Sequence, residues 1–145
     1  MKTEFKEEVL YPEINGLNQR IITNTKNYDA PLLLNIHGHG TPTSLFAHLY
    51  YEEDSFFVDN FIIAHWDQRG AGMSYSKKIS SASMTQEQFV EDTNEVAEFL
   101  LRRYKKDKLF VIGQSWGSVI GLKFIQKYPE KVKAYIGEAQ VVDYQ

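Results

Sequence analysis

Cysteine is absent from the 145 residues. That excludes a disulfide, a thiolate nucleophile and a cysteine-ligated metal site, and it suits the cytoplasm, where the chain is expected to reside. No apolar run approaches the roughly 20 residues of a membrane-crossing helix. The first residues carry charge at Lys2, Glu4, Lys6, Glu7 and Glu8, where a secretory leader would turn apolar. Positive charge is not in excess either. Sixteen Lys and Arg stand against nineteen Asp and Glu, a net charge of −3, which argues against a basic nucleic-acid surface. Neither a membrane nor a nucleic acid is therefore expected as a partner. Internal repeats and low-complexity segments are missing too. The four histidines, His37, His39, His48 and His65, all lie in the first half of the chain.

What is present is an ordinary globular composition, 43% hydrophobic and 24% charged, with enough length for one real core. Glu4–Leu10 and Arg20–Thr25 read as strands, with Asn15-Gly16 between them as a hairpin signal. Pro31–Ile36 and Phe61–Ala64 are continuous apolar runs, the pattern of parallel strands buried on both faces. Thr43 or Ser44 is placed to cap a short helix through Phe46, Ala47, Leu49 and Tyr50. Met73–Ser83 is a polar, serine-rich loop. Thr85 and Gln88 form a capping-box pair opening a long helix with a stripe of Phe89, Val96, Ala97, Leu100 and Tyr104. Lys108–Ile112 and Val132–Ile136 complete the strands. Strands alternating with helices predict βαβ units and a mostly parallel sheet, made mixed by the N-terminal antiparallel hairpin.

The stretch that organises the chain is Gly113-Gln114-Ser115-Trp116-Gly117. A strand precedes it, and Trp116, Ile120, Phe124 and Tyr128 follow at helical spacing. A Gly-x-Ser-x-Gly pentapeptide arises by chance in about one chain in twenty of this length, so the flanking strand and helix carry the weight. In that setting it resembles the nucleophile elbow of α/β-hydrolases. Gly113 and Gly117 would supply room for a sharp turn, leaving Ser115 exposed at the strand's C-terminal end.

Further segments narrow the resemblance. Ile14-Asn15-Gly16, His37-Gly38, Asp67-Gln68-Arg69-Gly70-x-Gly72-x-Ser74 and Gly113-x-Ser115-Trp116-Gly117-Ser118 are similar to the N-terminal half of α/β-hydrolases of the prolyl iminopeptidase type. The resemblance implies the α/β-hydrolase fold, with the strands ending at His37 and Gly113 as neighbours. It implies Ser115 as the nucleophile that forms an acyl-enzyme with an ester, an amide or a short peptide. The oxyanion would be met by backbone N–H groups of Trp116 and of His39, in the turn His37-Gly38-His39-Gly40. The family usually has His-Gly-Gly-Pro-Gly at that turn, so His39 is a departure. His37 is expected to be an architectural hydrogen-bonder, as is His65. Asp67 and Arg69 are expected to pin their loop through hydrogen bonds and a charge pair. The acidic run Glu52-Glu53-Asp54 reads as solvated surface. No cofactor and no metal are expected, since His37 and His39 have no third ligand in view.

A serine nucleophile needs a base and an orienting carboxylate, in this fold ordered Ser, then acid, then His. Glu130, Glu138 and Asp143 follow Ser115, but no histidine does. The chain therefore reads as residues 1–145 of a single α/β-hydrolase domain, its N-terminal part, lacking the last strands and the cap domain. The expected open sheet edge predicts self-association. Two readings stand: a serine hydrolase in the longer parent, with this part inactive alone, or a non-catalytic hydrolase-fold module that binds a ligand or partner.

Overall fold

In the computed structural model, residues 4–39 and 56–143 are described. The helix expected after Thr43, the acidic run at Glu52–Asp54, Gly40 and His48 lie outside them. The chain opens with β1 (Lys6–Leu10), passes through the two-residue strands β2 (Glu13–Ile14) and β3 (Leu17–Asn18), and returns in β4 (Ile21–Thr25). Asn15 and Gly16 turn that small hairpin with φ of 46° and 81°, the left-handed pair that an Asn-Gly hairpin loop requires. Next come β5 (Leu32–Ile36), α1 (Phe56–Asn60) and β6 (Ile62–Trp66). Two single 3₁₀ turns cross the serine-rich loop, and α2 (Gln86–Tyr104), β7 (Leu109–Gln114), α3 (Trp116–Lys127) and β8 (Val132–Glu138) follow.

Among the described residues, six strands form one sheet in the order β1-β4-β6-β5-β7-β8. The first two pairings are antiparallel and the remaining three parallel. The mixed sheet inferred from the sequence is thus the observed one, and Ile36 sits opposite Gly113 across β5 and β7. Strand ends shift by one or two residues from those expected, and at β6 the shift bears on a candidate residue. His65 and Trp66 continue β6, both fully buried, because the parallel ladder to β5 runs on through Asn35 and Ile36.

Alternation along the strands divides the core. Leu32, Leu34, Ile36, Ala64, Trp66 and Val111 face Val96, Ala97 and Leu100 of α2 and Ile120 and Phe124 of α3. Leu33, Ile63 and Ile112 form the other side with Val58 of α1 and the partly buried Phe57, Phe61 and Phe110. Thr85 caps α2 by accepting from the Gln88 N–H at 3.1 Å. The reciprocal half of the box is not made, because the Gln88 amide turns to Asp92 instead. Lys105, with φ 53°, closes α2 in the left-handed conformation. No described helix is long and apolar enough to cross a membrane.

Candidate active site

β7 ends in the elbow. Ser115 has φ 50° and ψ −115°, a region an L-residue enters only under constraint. The constraint comes from packing. A Cβ on Gly113 would lie 2.6 Å from the Gly117 carbonyl oxygen, and one on Gly117 would collide with the Ile36 carbonyl and lie 2.7 Å from that of His37. Both glycines are therefore sites of close backbone approach, which lets α3 start directly against the end of β5. Ser115 is exposed, and its hydroxyl does not cap α3 although it occupies the capping position. Its N–H donates to the Glu138 carbonyl of β8 at 2.9 Å. Its own carbonyl accepts from Ser118, from the N–H at 2.8 Å and from the hydroxyl at 2.6 Å.

The turn after β5 lies against this elbow. A Cβ on Gly38 would be 3.3 Å from the Gln114 carbonyl and 3.5 Å from Ser115 Cβ. His37 is buried, and its ring is held at both nitrogens. Nε2 accepts from the Gln68 N–H at 3.2 Å, so Nδ1 carries the proton and donates to the Gly38 carbonyl at 2.7 Å. The Gln68 side chain also donates to the His37 carbonyl at 2.8 Å. Burial holds the His37 pKa below its ordinary value, with the Gly38 hydrogen bond pulling the other way. The Gly38–His39 peptide is trans, so anchoring its carbonyl on His37 turns the His39 N–H away from that ring. His39 is exposed, and its ring meets Trp116 edge-on at 6.3 Å. Trp116, the first residue of α3, packs in turn on Phe89 at 5.7 Å.

Between these groups lies a cavity of about 480 Å³ lined by His39, Met84, Phe89, Ser115, Trp116 and Val141. An adjoining cavity of about 360 Å³ shares four of those residues and continues along the turn Gln68–Gly72. The site residues named from the sequence, Ser115, Trp116, His37, Gly38, His39, Gly113 and Gly117, are thus brought to one end of the sheet. His65 is not among them. It lies fully buried within β6, where burial pushes its pKa down to about 3.

The turn after β6 is held by hydrogen bonds and charge pairs at Asp67 and Arg69, both to partners outside the turn. Asp67 and Arg69 each pair with a different element. Arg20, just before β4, donates its Nε to Asp67 at 2.8 Å, and the Met73 N–H joins the same oxygen at 2.9 Å. Arg69 makes a two-point pair with the fully buried Asp92 of α2, at 2.7 and 3.0 Å. Asp92 also accepts from Asn15, Gln19 and Gln88 at 2.8, 3.1 and 2.9 Å, and Gln19 takes the Trp66 indole N–H at 2.8 Å. The small N-terminal hairpin, the loop along the cavity and α2 therefore meet on one carboxylate. Sequence reasoning missed Asp92. Its signal was an acidic residue three positions after Phe89 and four before Val96, on the apolar face of an amphipathic helix. Gln68 and Ser118 stand within the motifs, and nothing in the sequence marks what they bind. Among the described residues no three His, Cys, Asp or Glu side chains converge as a metal-holding group.

A mixed sheet in this order, with a strained serine between a parallel strand and its following helix, defines the α/β-hydrolase fold. Solved structures agree: epoxide hydrolase VrEH1 of Vigna radiata superposes with a TM-score of 0.75 at 22% identity, over 96% of this chain and 41% of that one. A proline iminopeptidase-related protein of Thermus thermophilus gives 0.70 at 19% identity, over 91% and 44%. The chain belongs to the serine aminopeptidase S33 family, whose model matches residues 29–145. It is 41% identical over 131 residues to the probable aminopeptidase YbaC of Bacillus subtilis (strain 168), covering 90% of this chain and 40% of that protein. It is 36% identical over 81 residues to a proline iminopeptidase of Neisseria gonorrhoeae, covering 56% and 24%. The chain thus spans well under half the length of these curated relatives.

Proposed function

We propose that the chain carries the nucleophile half of a serine hydrolase of aminopeptidase type, with Ser115 as the nucleophile. One observation carries this reading. Ser115 is exposed at the C-terminal end of β7 with φ 50°, lines a cavity, and does not cap α3 with its side chain. The Ser115 oxygen attacks the carbonyl carbon of an ester or N-terminal amide, and its proton passes to a general base. The C–O or C–N bond then breaks, the leaving group takes up the proton, and water hydrolyses the acyl-enzyme. The tetrahedral oxyanion is held by the N–H of Trp116, at a helix start where the dipole favours negative charge, and by that of His39. Gly38, Gly113 and Gly117 bring those two peptides together, and His37 orients the second. Membership of an aminopeptidase family and likeness to proline iminopeptidases support a short peptide with a free N-terminus as substrate.

No histidine follows Ser115, so we assign the base and its carboxylate to polypeptide beyond these 145 residues. For the 145 residues by themselves, the same absence favours a ligand-binding hydrolase-fold module with Ser115 idle. Two measurements test these readings. In the longer polypeptide, Ser115→Ala should lower kcat on an aminoacyl arylamide by several orders of magnitude, and near-normal turnover would overturn the elbow assignment. The 145-residue chain should react with a fluorophosphonate probe no faster than its Ser115→Ala variant. Rapid Ser115 labelling that disappears in His39→Ala would instead make His39 the base.

A further inference from the structure

Both peptide planes flanking Ser115 are held from outside. The first is fixed through its N–H, which donates to the Glu138 carbonyl at 2.9 Å. The second is the Ser115–Trp116 peptide, whose carbonyl takes the Ser118 hydroxyl at 2.6 Å as well as the Ser118 N–H at 2.8 Å. Backbone N–H to carbonyl contacts are usual at the first turn of a helix, but the hydroxyl is an addition that only this side chain supplies. Ser118 is fully buried, and its oxygen also accepts the Val141 N–H at 3.0 Å. One buried hydroxyl thus links the elbow to a residue lining the Ser115 cavity. The Tyr135 hydroxyl reaches the Ser118 carbonyl at 3.2 Å, seating the same turn of α3 on β8.

We infer that Ser118 is a positioning residue for the Ser115 site, an inference that rests on reading Ser115 as the nucleophile. In a trans peptide the carbonyl and the N–H point in opposite directions. Holding the Ser115 carbonyl therefore aims the Trp116 N–H and sets ψ of Ser115 together. Donation from O–H and N–H to that carbonyl also polarises the peptide and makes the Trp116 N–H a stronger donor. Oxyanion stabilisation acts in the transition state and not on bound substrate, so loss of the hydroxyl should appear in kcat. Loss of the Val141 anchor should appear in KM only for acyl groups large enough to reach that wall.

The test compares Ser118→Ala, Ser118→Thr and Ser115→Ala in the longer polypeptide, on an aryl acetate and on a bulky aminoacyl aryl ester. Ser118→Ala should lower kcat about ten- to hundredfold on both, with KM unchanged for the acetate and raised for the bulky ester. Ser118→Thr keeps a hydroxyl able to bond a carbonyl one helical turn back and should restore most of kcat. In the 145-residue chain, amide exchange at Val141 should quicken in Ser118→Ala while β7 amides keep their protection. Ser115→Ala inactive with Ser118→Ala at wild-type kcat would overturn this inference alone, as would unchanged exchange at Val141. Ser115→Ala with normal turnover would overturn both this inference and the reading beneath it.

Discussion

His65 should make the fold sensitive to mild acid. It lies in β6 with no exposed surface, and burial lowers its pKa from 6.5 to about 3. A pKa depressed in the folded state stabilises the fold fully above the unfolded value, and that stability is lost as pH falls toward the folded value. Between pKa values of 6.5 and about 3, one histidine accounts for a loss of about 2 kcal/mol on going from about pH 7.5 to about pH 5. His37 is shifted in the same direction. The carboxylates of Glu8, Glu91 and Glu98 are held below 4.5 by their hydrogen-bonded partners Arg103, Lys127 and Lys131, so they titrate below this window. Urea unfolding of wild type and His65→Leu at several pH values across the window reads the difference. The wild-type curve should fall more steeply, by about 2 kcal/mol over the interval. His65→Gln serves as a second non-titrating variant should leucine fail to pack. Equal slopes in wild type and variants would show that His65 takes up its proton without opening the fold, and would refute the reasoning.

Gly117→Ala should destabilise the chain by about 3 kcal/mol or more, since its methyl meets the carbonyls at the end of β5. A urea midpoint like that of wild type would show that α3 is not pressed against β5. Asp92→Asn should cost about 3–5 kcal/mol, because it leaves the buried Arg69 guanidinium without its counter-charge. The exposed Glu98–Arg102 pair should tolerate Arg102→Ala within about 0.5 kcal/mol. Similar denaturation shifts for the two variants would contradict the difference in burial.

The sheet was legible because its strands obey simple patterns. Pro31–Ile36 and Phe61–Ala64 are largely apolar runs, and both became central strands that pair parallel with each other. The second run stops at the polar His65. The buried ladder carried it two residues further. Helix α2 was read from its stripe, yet the same stripe concealed Asp92. Periodicity counts apolar positions and passes over a carboxylate whose solvation is replaced by five donors from four other residues. No one-dimensional pattern records that replacement, since the donors stand as far as 77 positions away.

The candidate site shows the same limit at finer scale. Strand, glycines, serine and helix could be read in order, because an elbow is a local object built from adjacent residues. The chemistry proposed for it depends on the direction of two N–H vectors, and direction is not local. The His39 N–H is turned by a carbonyl that His37 holds, and the His37 ring is itself fixed by Gln68 from the loop after β6. The Trp116 N–H is turned by a carbonyl that Ser118 holds, and the Ser118 hydroxyl is fixed by Val141 from beyond β8. In each case a side chain clamps the carbonyl side of the peptide. A trans peptide converts a hold on one side into aim on the other. Such groups need only hydrogen-bond and stay buried, so they read as ordinary polar residues until the strands are set side by side. Removing either hold should therefore lower the rate while Ser115 itself is kept.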